Sequence, residues 1–181
     1  MQFTESELAG AYLIALERHA DERGFFARTF CEREFAAHGL PVHFPQCNLS
    51  RNRKRGTLRG MHYAASPSAE SKIVRCVAGA IHDVIVDLRA DSSTYLKSTS
   101  VELSAENGLA LFVPAGMAHG FITLSDDTDV FYHMGDFFLA DAARGFRWND
   151  PQFDLEWPLT PTVMSARDAD YPDFKPEPGG V

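Results

Sequence analysis

Residues 108–120 read Gly108-Leu-Ala-Leu-Phe-Val-Pro114-Ala-Gly116-Met-Ala-His119-Gly120, which places four residues at the fixed spacing G-x5-P-x-G-x2-H. Pro114 and Gly116 are turn-forming residues, and they lie between two apolar runs that predict strands near 108–113 and 118–123. His119 begins the second strand and is expected to point into the interior of a barrel. The stretch therefore predicts two short strands joined by a tight turn.

Short strand-like runs continue on both sides of this stretch. They are predicted at 44–50, 57–63, 72–78, 80–88, 95–103 and 128–134, with turn residues between them. Such regular, closely spaced strands are typical of a sandwich or a barrel. The G-x5-P-x-G-x2-H spacing is also the second signature of the cupins. We therefore predict a mainly β fold, a cupin double-stranded β-helix (jelly-roll barrel), with short helices in the N-terminal region and at the C-terminus.

The two ends of the chain are less regular. By pattern alone, residues 9–17 fit a strand or a short helix. Further interpretations are a turn at 19–24, an aromatic-rich strand at 24–30, one or two helical turns at 31–38, an irregular segment beyond Trp148 with a terminal helical turn, and a frayed tail at 175–181. We expect one domain over 1–181, with a barrel at about 44–135, an N-terminal arm at 1–43 and a C-terminal wrap at 136–181.

Composition excludes several classes of protein. The chain has 181 residues, 45% of them hydrophobic, and a formal net charge of −8. This charge argues against a nucleic-acid surface, which needs clustered lysine and arginine. Three cysteines without metal-like spacing indicate free thiols in a reducing compartment. No apolar run is long enough to cross a membrane, and we expect a cytoplasmic protein.

The first cupin signature, G-x5-H-x-H followed by glutamate, is incomplete here. Gly56 and His62 fit it, but Ala64 replaces the second histidine and Glu70 comes too late. A stable metal site usually needs three protein ligands. We therefore predict no metal and no other cofactor.

The segment from Gly56 to Tyr63 places an arginine and a histidine three residues apart in a strand. Side chains alternate along a strand, so Arg59 and His62 would face opposite sides. A twist, or a bulge at one of the glycines, is needed to bring both into one pocket.

Several polar residues of the predicted barrel are suited to proton transfer. Histidine accepts a proton near neutral pH, a carboxylate orients it, and tyrosine returns a proton. Lysine or arginine stabilises an enolate oxygen. The candidates are His62, His119, Lys72, Tyr132, Asp83 and Asp168. They indicate epimerisation or isomerisation next to a carbonyl group.

Long motifs resemble the dTDP-4-dehydrorhamnose 3,5-epimerase family over about residues 3–173. They are the segments 56–63, 72–89, 101–107, 113–121 and 144–151. The resemblance implies a metal-free cupin homodimer that inverts C3 and C5 of a nucleotide-linked 4-keto-6-deoxyhexose without a cofactor. The expected partners are a dTDP-linked sugar and a second copy of the chain, with no nucleic acid and no membrane.

The resemblance also implies roles for individual residues. His62 would be the base, Asp168 its acidic partner, and Tyr132 the acid on the opposite face. Lys72 would stabilise the enolate. The residues implied to line the nucleotide-sugar site are Gln46, Asn48, Arg59 and His119, with Arg23 and Phe26 contributed by the neighbouring subunit.

Three positions depart from the family pattern: Ala64 replaces glutamine, Phe138 replaces tyrosine and Arg28 replaces glutamate. They bear on the substrate and on the number of centres inverted. A mono-epimerase, or an epimerase for another nucleotide sugar, is the nearest alternative. A metal-dependent cupin and a non-catalytic sugar-binding cupin are the alternatives from other classes.

Overall fold

Short antiparallel strands make up most of the regular structure, which a computed structural model describes for residues 1–176. The strands are β1 (Gln2–Glu5), β2 (Tyr12–Ala15), β3 (His19–Asp21), β4 (Gly24–Phe26), β5 (Gln46–Asn52), β6 (Leu58–Ala64), β7 (Lys72–Ala78), β8 (Ala80–Asp87), β9 (Ser98–Ser104), β10 (Ala110–Val113), β11 (Met117–Thr123), β12 (Thr128–Met134) and β13 (Ala143–Gly145). The helices are α1 (Glu32–Ala37), α2 (Ala166–Ala169) and a 3₁₀ turn at Ala140–Ala142.

Two sheets enclose the barrel. One has six strands in the order β1-β2-β10-β7-β12-β5, and the other has five in the order β13-β6-β11-β8-β9. Strands β10 and β11 lie in different sheets, and the predicted turn at Pro114 and Gly116 connects them. The predicted mainly β jelly-roll architecture is confirmed.

The barrel interior follows from alternation along the strands. In β7, Val74 and Cys76 point between the sheets and join the central core, whereas Ile73 packs in a separate cluster outside. The members of the central core include Ile81, Ile85, Leu111, Val113, Phe121 and Val130, and Tyr132 packs against it.

Each sheet is also covered on its outer face. The segment containing α1 places Phe35 and Leu40 against the six-stranded sheet. The C-terminal wrap places Phe153 and Phe174 against Phe146 and the outer face of the five-stranded sheet. The wrap thereby keeps its last helix, α2, next to β6.

Most strands were predicted, and two of them have the predicted bounds, 72–78 and 128–134. The helical turns predicted at 31–38 are α1, and the terminal turn is α2. The ambiguous segment 9–17 contains β2, which lies between β1 and β10. Strand β1 was not predicted, and with β2 it extends the six-stranded sheet.

The predictions for 19–24 and 24–30 were partly wrong. Residues 19–26 form a hairpin of β3 and β4, with the turn confined to Glu22 and Arg23. Strand β4 ends at Phe26 because β3 offers only three pairing residues. Every residue of both strands is exposed to solvent.

Of the two possibilities, a twist or a bulge at a glycine, the structure shows a bulge in β6. His62 pairs with His119 and Arg59 with Phe121, so three steps along β6 oppose two along β11. The extra residue lies in the pair Gly60–Met61, between the paired residues Arg59 and His62. Gly60 has φ of 125° and packs closely against the backbone of Gly120. The bulge reverses the alternation, and Arg59 and His62 consequently line the same cavity.

Within residues 1–176, no helix is long and apolar enough to cross a membrane. The frayed tail predicted at 175–181 lies largely outside the described residues.

Candidate active site

A histidine–carboxylate pair joins β6 to α2. His62 Nε2 is 2.7 Å from Asp168 Oδ1, although 106 residues separate the two in sequence. Asp168 belongs to α2, whose first turn is capped by the Ser165 hydroxyl accepting a hydrogen bond from the Asp168 backbone N–H. The cap fixes the position from which the carboxylate reaches His62.

The Asp168 carboxylate is held in its charged form. Burial raises its pKa, but the hydrogen bond from His62, with smaller contributions from Ser165 and the Gly60 backbone, outweighs burial and lowers the pKa below its usual value. A carboxylate accepts a hydrogen from Nε2, which leaves the lone pair of the neutral imidazole on Nδ1. The side chain of His62 is 43% exposed and lines a cavity in which a ligand could contact it.

Tyr132 and Lys72 lie on the opposite wall. His62 is in β6 of the five-stranded sheet, whereas Tyr132 and Lys72 belong to β12 and β7 of the six-stranded sheet. All three line one cavity. A molecule in this cavity would thus have the imidazole on one side and the phenol on the other.

Tyr132 is kept protonated. Burial raises the pKa of its hydroxyl, and the nearby negative charge of Asp83 raises it further. The Arg59 guanidinium opposes this effect only in part. The side chain is therefore available as a proton donor at neutral pH.

Lys72 forms an ion pair that sequence reasoning missed. Its Nζ lies 3.0 Å from Glu70 Oε1, and both side chains are largely buried. Glu70 was considered only as a late metal ligand. The sequence did show Glu70 two residues before Lys72, which was the available signal for an ion pair. The direction of the Glu70 side chain, however, depends on the conformation of the loop that precedes β7.

Two further contacts order the polar residues of the barrel. His119 Nε2 lies 2.7 Å from Asp83 Oδ1, and Asp83 is fully buried. Arg59 Nε donates to Asn52 Oδ1 at 2.8 Å, and Asn52 also donates to the Thr128 carbonyl. Asn52 was not predicted, because its contact with Arg59 joins two different sheets, β5 of one and β6 of the other.

The site consists of two adjoining cavities. One has a volume of about 230 Å3 and is called the inner cavity because all of its lining residues lie on barrel strands: Asn48, Ser50, Arg59, His62, Lys72, His119, Phe121, Tyr132 and Met134. The outer one, of about 220 Å3, shares His62, Lys72 and Met134 and is also lined by Tyr63, Ala64, Ser68, Glu70, Phe138, Leu139, Ala143, Arg144 and Arg167. Seven of the ten predicted site residues are thus brought together, counting Asp168 through its contact with His62.

The other three predicted residues lie elsewhere. Gln46 lines neither cavity, and its Oε1 accepts a hydrogen bond from the Phe138 backbone at 2.6 Å. Arg23 and Phe26 belong to the exposed hairpin, where the Arg23 side chain is 85% exposed and Phe26 is 75% exposed. Neither lines the cavities of its own chain.

Two of the three departures from the family pattern lie in the outer cavity. Ala64 and Phe138 both line it, where they supply apolar surface. Arg28 is on the N-terminal arm and forms an ion pair with Glu34 at 2.9 Å.

Metal donors are not clustered in the described part of the chain. Residues 1–176 contain no group of three histidine, cysteine or acidic side chains arranged to hold an ion. His62 and His119 each contact a carboxylate instead.

Comparisons with known proteins give the family of this chain. The family model described as dTDP-4-dehydrorhamnose 3,5-epimerase matches residues 5–176. The chain belongs to this family. A dTDP-4-dehydrorhamnose 3,5-epimerase from Sinorhizobium fredii is 42% identical over 175 residues, covering 96% of this chain and 90% of the relative.

Solved structures of family members are also similar. An epimerase of the same name from Bacillus anthracis, with TDP and PPi bound, has a TM-score of 0.93 at 36% identity and covers 96% of this chain and 99% of its own. A 3'-monoepimerase from Streptomyces bikiniensis, in complex with dTDP-quinovose, has a TM-score of 0.86 at 30% identity, covering 93% and 85%. The similar structures thus include enzymes whose names differ in the number of centres inverted.

Proposed function

We propose that this protein is an epimerase that inverts C3 and C5 of a dTDP-linked 4-keto-6-deoxyhexose. The observation that carries the proposal is the placement of His62 and Tyr132 on opposite walls of one cavity. Inversion needs a proton removed from one face of a carbon and returned to the other. Family membership supplies the class of substrate.

The reaction follows from the positions of the side chains. His62 Nδ1 takes the proton from the carbon next to the 4-keto group, and the electron pair passes into an enolate. Asp168 stabilises the imidazolium that forms. The Lys72 ammonium stabilises the negative charge on the enolate oxygen. Tyr132 then donates its proton to the opposite face of the carbon, and solvent restores both groups.

The 4-keto group itself makes the neighbouring C–H bonds acidic, so these steps need no redox cofactor. Lys72 is suited to its role because Glu70 holds the ammonium at the cavity wall. Arg59 and His119 line the inner cavity and would contact the substrate. Arg59 carries the charge that a diphosphate group needs.

The proposal is tested by incubating the protein with dTDP-4-keto-6-deoxyglucose in D2O and following the sugar protons by NMR. We expect deuterium at both C3 and C5. His62→Asn should abolish exchange, a loss of at least about 100-fold, while dTDP still binds. Tyr132→Phe should retain exchange and lose inversion. Exchange at the wild-type rate in His62→Asn would exclude His62 as the base.

Inversion of a single centre is the second candidate. The similarity to the Streptomyces bikiniensis 3'-monoepimerase and the apolar surface of Ala64 and Phe138 in the outer cavity favour it. The same NMR experiment separates the two, because a mono-epimerase would place deuterium at one carbon only in the inverted product.

We also propose that the protein acts in the cytoplasm as a homodimer. The exposed hairpin is suited to extend into a neighbouring subunit, since Phe26 is a large apolar side chain that is 75% exposed in its own chain. Arg23 and Phe26 would then complete the nucleotide site of the partner.

A further inference from the structure

We propose that Tyr171 is a positioning residue that holds the imidazole of His62 in its reactive orientation. The inference depends on the proposed role of His62 as the base. It starts from the dyad, because the contact between Nε2 and Asp168 fixes one atom of the ring but leaves rotation about that hydrogen bond open. A ring that is 43% exposed needs a second contact to keep Nδ1 aimed at the substrate.

Tyr171 supplies this second contact. Its ring meets the His62 ring edge to face, with the centroids 6.0 Å apart and the planes at 66°. Such aromatic pairs are directional and contribute about 0.5–1.5 kcal/mol beyond burial. The contact thus restricts the rotation that the hydrogen bond permits.

Tyr171 is itself held in place from other directions. The Arg167 guanidinium lies over its ring at 5.5 Å from the centroid. Gly145 in β13 lies so close that a β-carbon there would overlap the tyrosine ring. A side chain packed in this way can transmit its position to His62.

The hydroxyl of Tyr171 does not explain why the residue is there. It is buried and has no hydrogen-bond partner within residues 1–176. A buried hydroxyl without a partner costs free energy. The part of Tyr171 that acts on His62 is accordingly the ring and not the hydroxyl. Tyr171 is therefore proposed as a positioning residue and not as a proton donor.

Asp168 and Tyr171 lie three residues apart on one segment. The segment begins at the capping Ser165 and passes through α2. It supplies both the Asp168 carboxylate and the Tyr171 ring that contact His62. One short C-terminal segment therefore determines the orientation of the imidazole on β6.

The test compares Tyr171→Leu with Tyr171→Phe, which keeps the ring and removes only the unpartnered hydroxyl. We expect kcat to fall roughly ten- to hundred-fold in Tyr171→Leu, because small misplacements of a reacting group have effects of this size. KM should stay within about threefold of wild type. Tyr171→Phe should keep the wild-type kcat. Tyr171→Met replaces the leucine variant if that variant does not fold.

A second readout is independent of turnover. The NMR signals of the His62 ring, identified by their loss in His62→Asn, should move in Tyr171→Leu and stay close to wild type in Tyr171→Phe. Unchanged signals in the leucine variant, an unchanged kcat, or equal losses in both variants would overturn the proposal. If the wild-type protein exchanged no deuterium, the proposed function would be overturned instead. The His62 ring signals of the two Tyr171 variants would still show whether Tyr171 orients the imidazole.

Discussion

The phenol of Tyr132 combines two properties that a proton donor needs, exposure to the cavity and retention of its proton. Burial and the Asp83 carboxylate raise its pKa above the ordinary value of a tyrosine. The unfolded chain would release this proton near pH 10. The folded form therefore binds the proton more tightly, and its contribution to stability is present below about pH 10 and lost as the pH rises further.

An alkaline titration tests this expectation. The chain has five tyrosines, and we expect Tyr132→Phe to show the same phenolate absorbance as wild type up to about pH 11. The free energy of unfolding should fall less steeply above about pH 10 in the variant, because the difference in proton binding has been removed. A loss of one titrating group in that range would show that Tyr132 ionises normally.

The bulge in β6 determines which side chains meet in the cavity. Gly60 and Gly120 permit it, since a β-carbon on Gly60 would lie 2.5 Å from the Gly120 α-carbon and 2.9 Å from the His119 carbonyl oxygen. Without the bulge, Arg59 and His62 would face opposite sides of the strand. Two glycines on neighbouring strands thus allow Arg59 and His62 to line one cavity.

Gly60→Ala should consequently destabilise the fold. We expect the free energy of unfolding to drop by about 2–4 kcal/mol, from the unfavourable φ together with the overlap. Gly24→Ala is the matched control, because Gly24 has φ of 126° but a β-carbon added there would meet no atom within 4 Å. Denaturant melts of both variants separate the two effects, and equal losses would contradict the overlap argument.

The arrangement of whole subunits can be tested by complementation. If Arg23 and Phe26 serve the partner, His62→Ala and Arg23→Ala should each be nearly inactive alone. Unfolding and refolding them together should restore roughly a quarter of wild-type activity, because about half of the dimers are mixed and each mixed dimer has one intact site. Activity that stays at the level of the separate variants would place Arg23 in the site of its own chain, or outside any site.

Much of the fold could be predicted from the sequence, and the failures have a common cause. Strands 72–78 and 128–134 were predicted with their observed bounds because alternation and flanking turn residues are local signals. Strand β1 and the hairpin at 19–26 were missed or misassigned, since their short segments are stabilised mainly by pairing with other strands. That residues 1–181 form a single domain stays a prediction.

The sequence by itself determined most of the barrel strands, the turn at Pro114 and Gly116, and the family through motifs spread along nearly the whole chain. The resemblance implied that Asp168 is the partner of His62, and the tertiary structure shows the contact itself, across 106 residues. Only the tertiary structure decided two other contacts: Asn52 bonds Arg59 from the other sheet, and Tyr171 packs on His62 from a segment without strand character. These contacts depend on where the wrap and the two sheets pack, and packing between distant segments leaves no local pattern in the sequence.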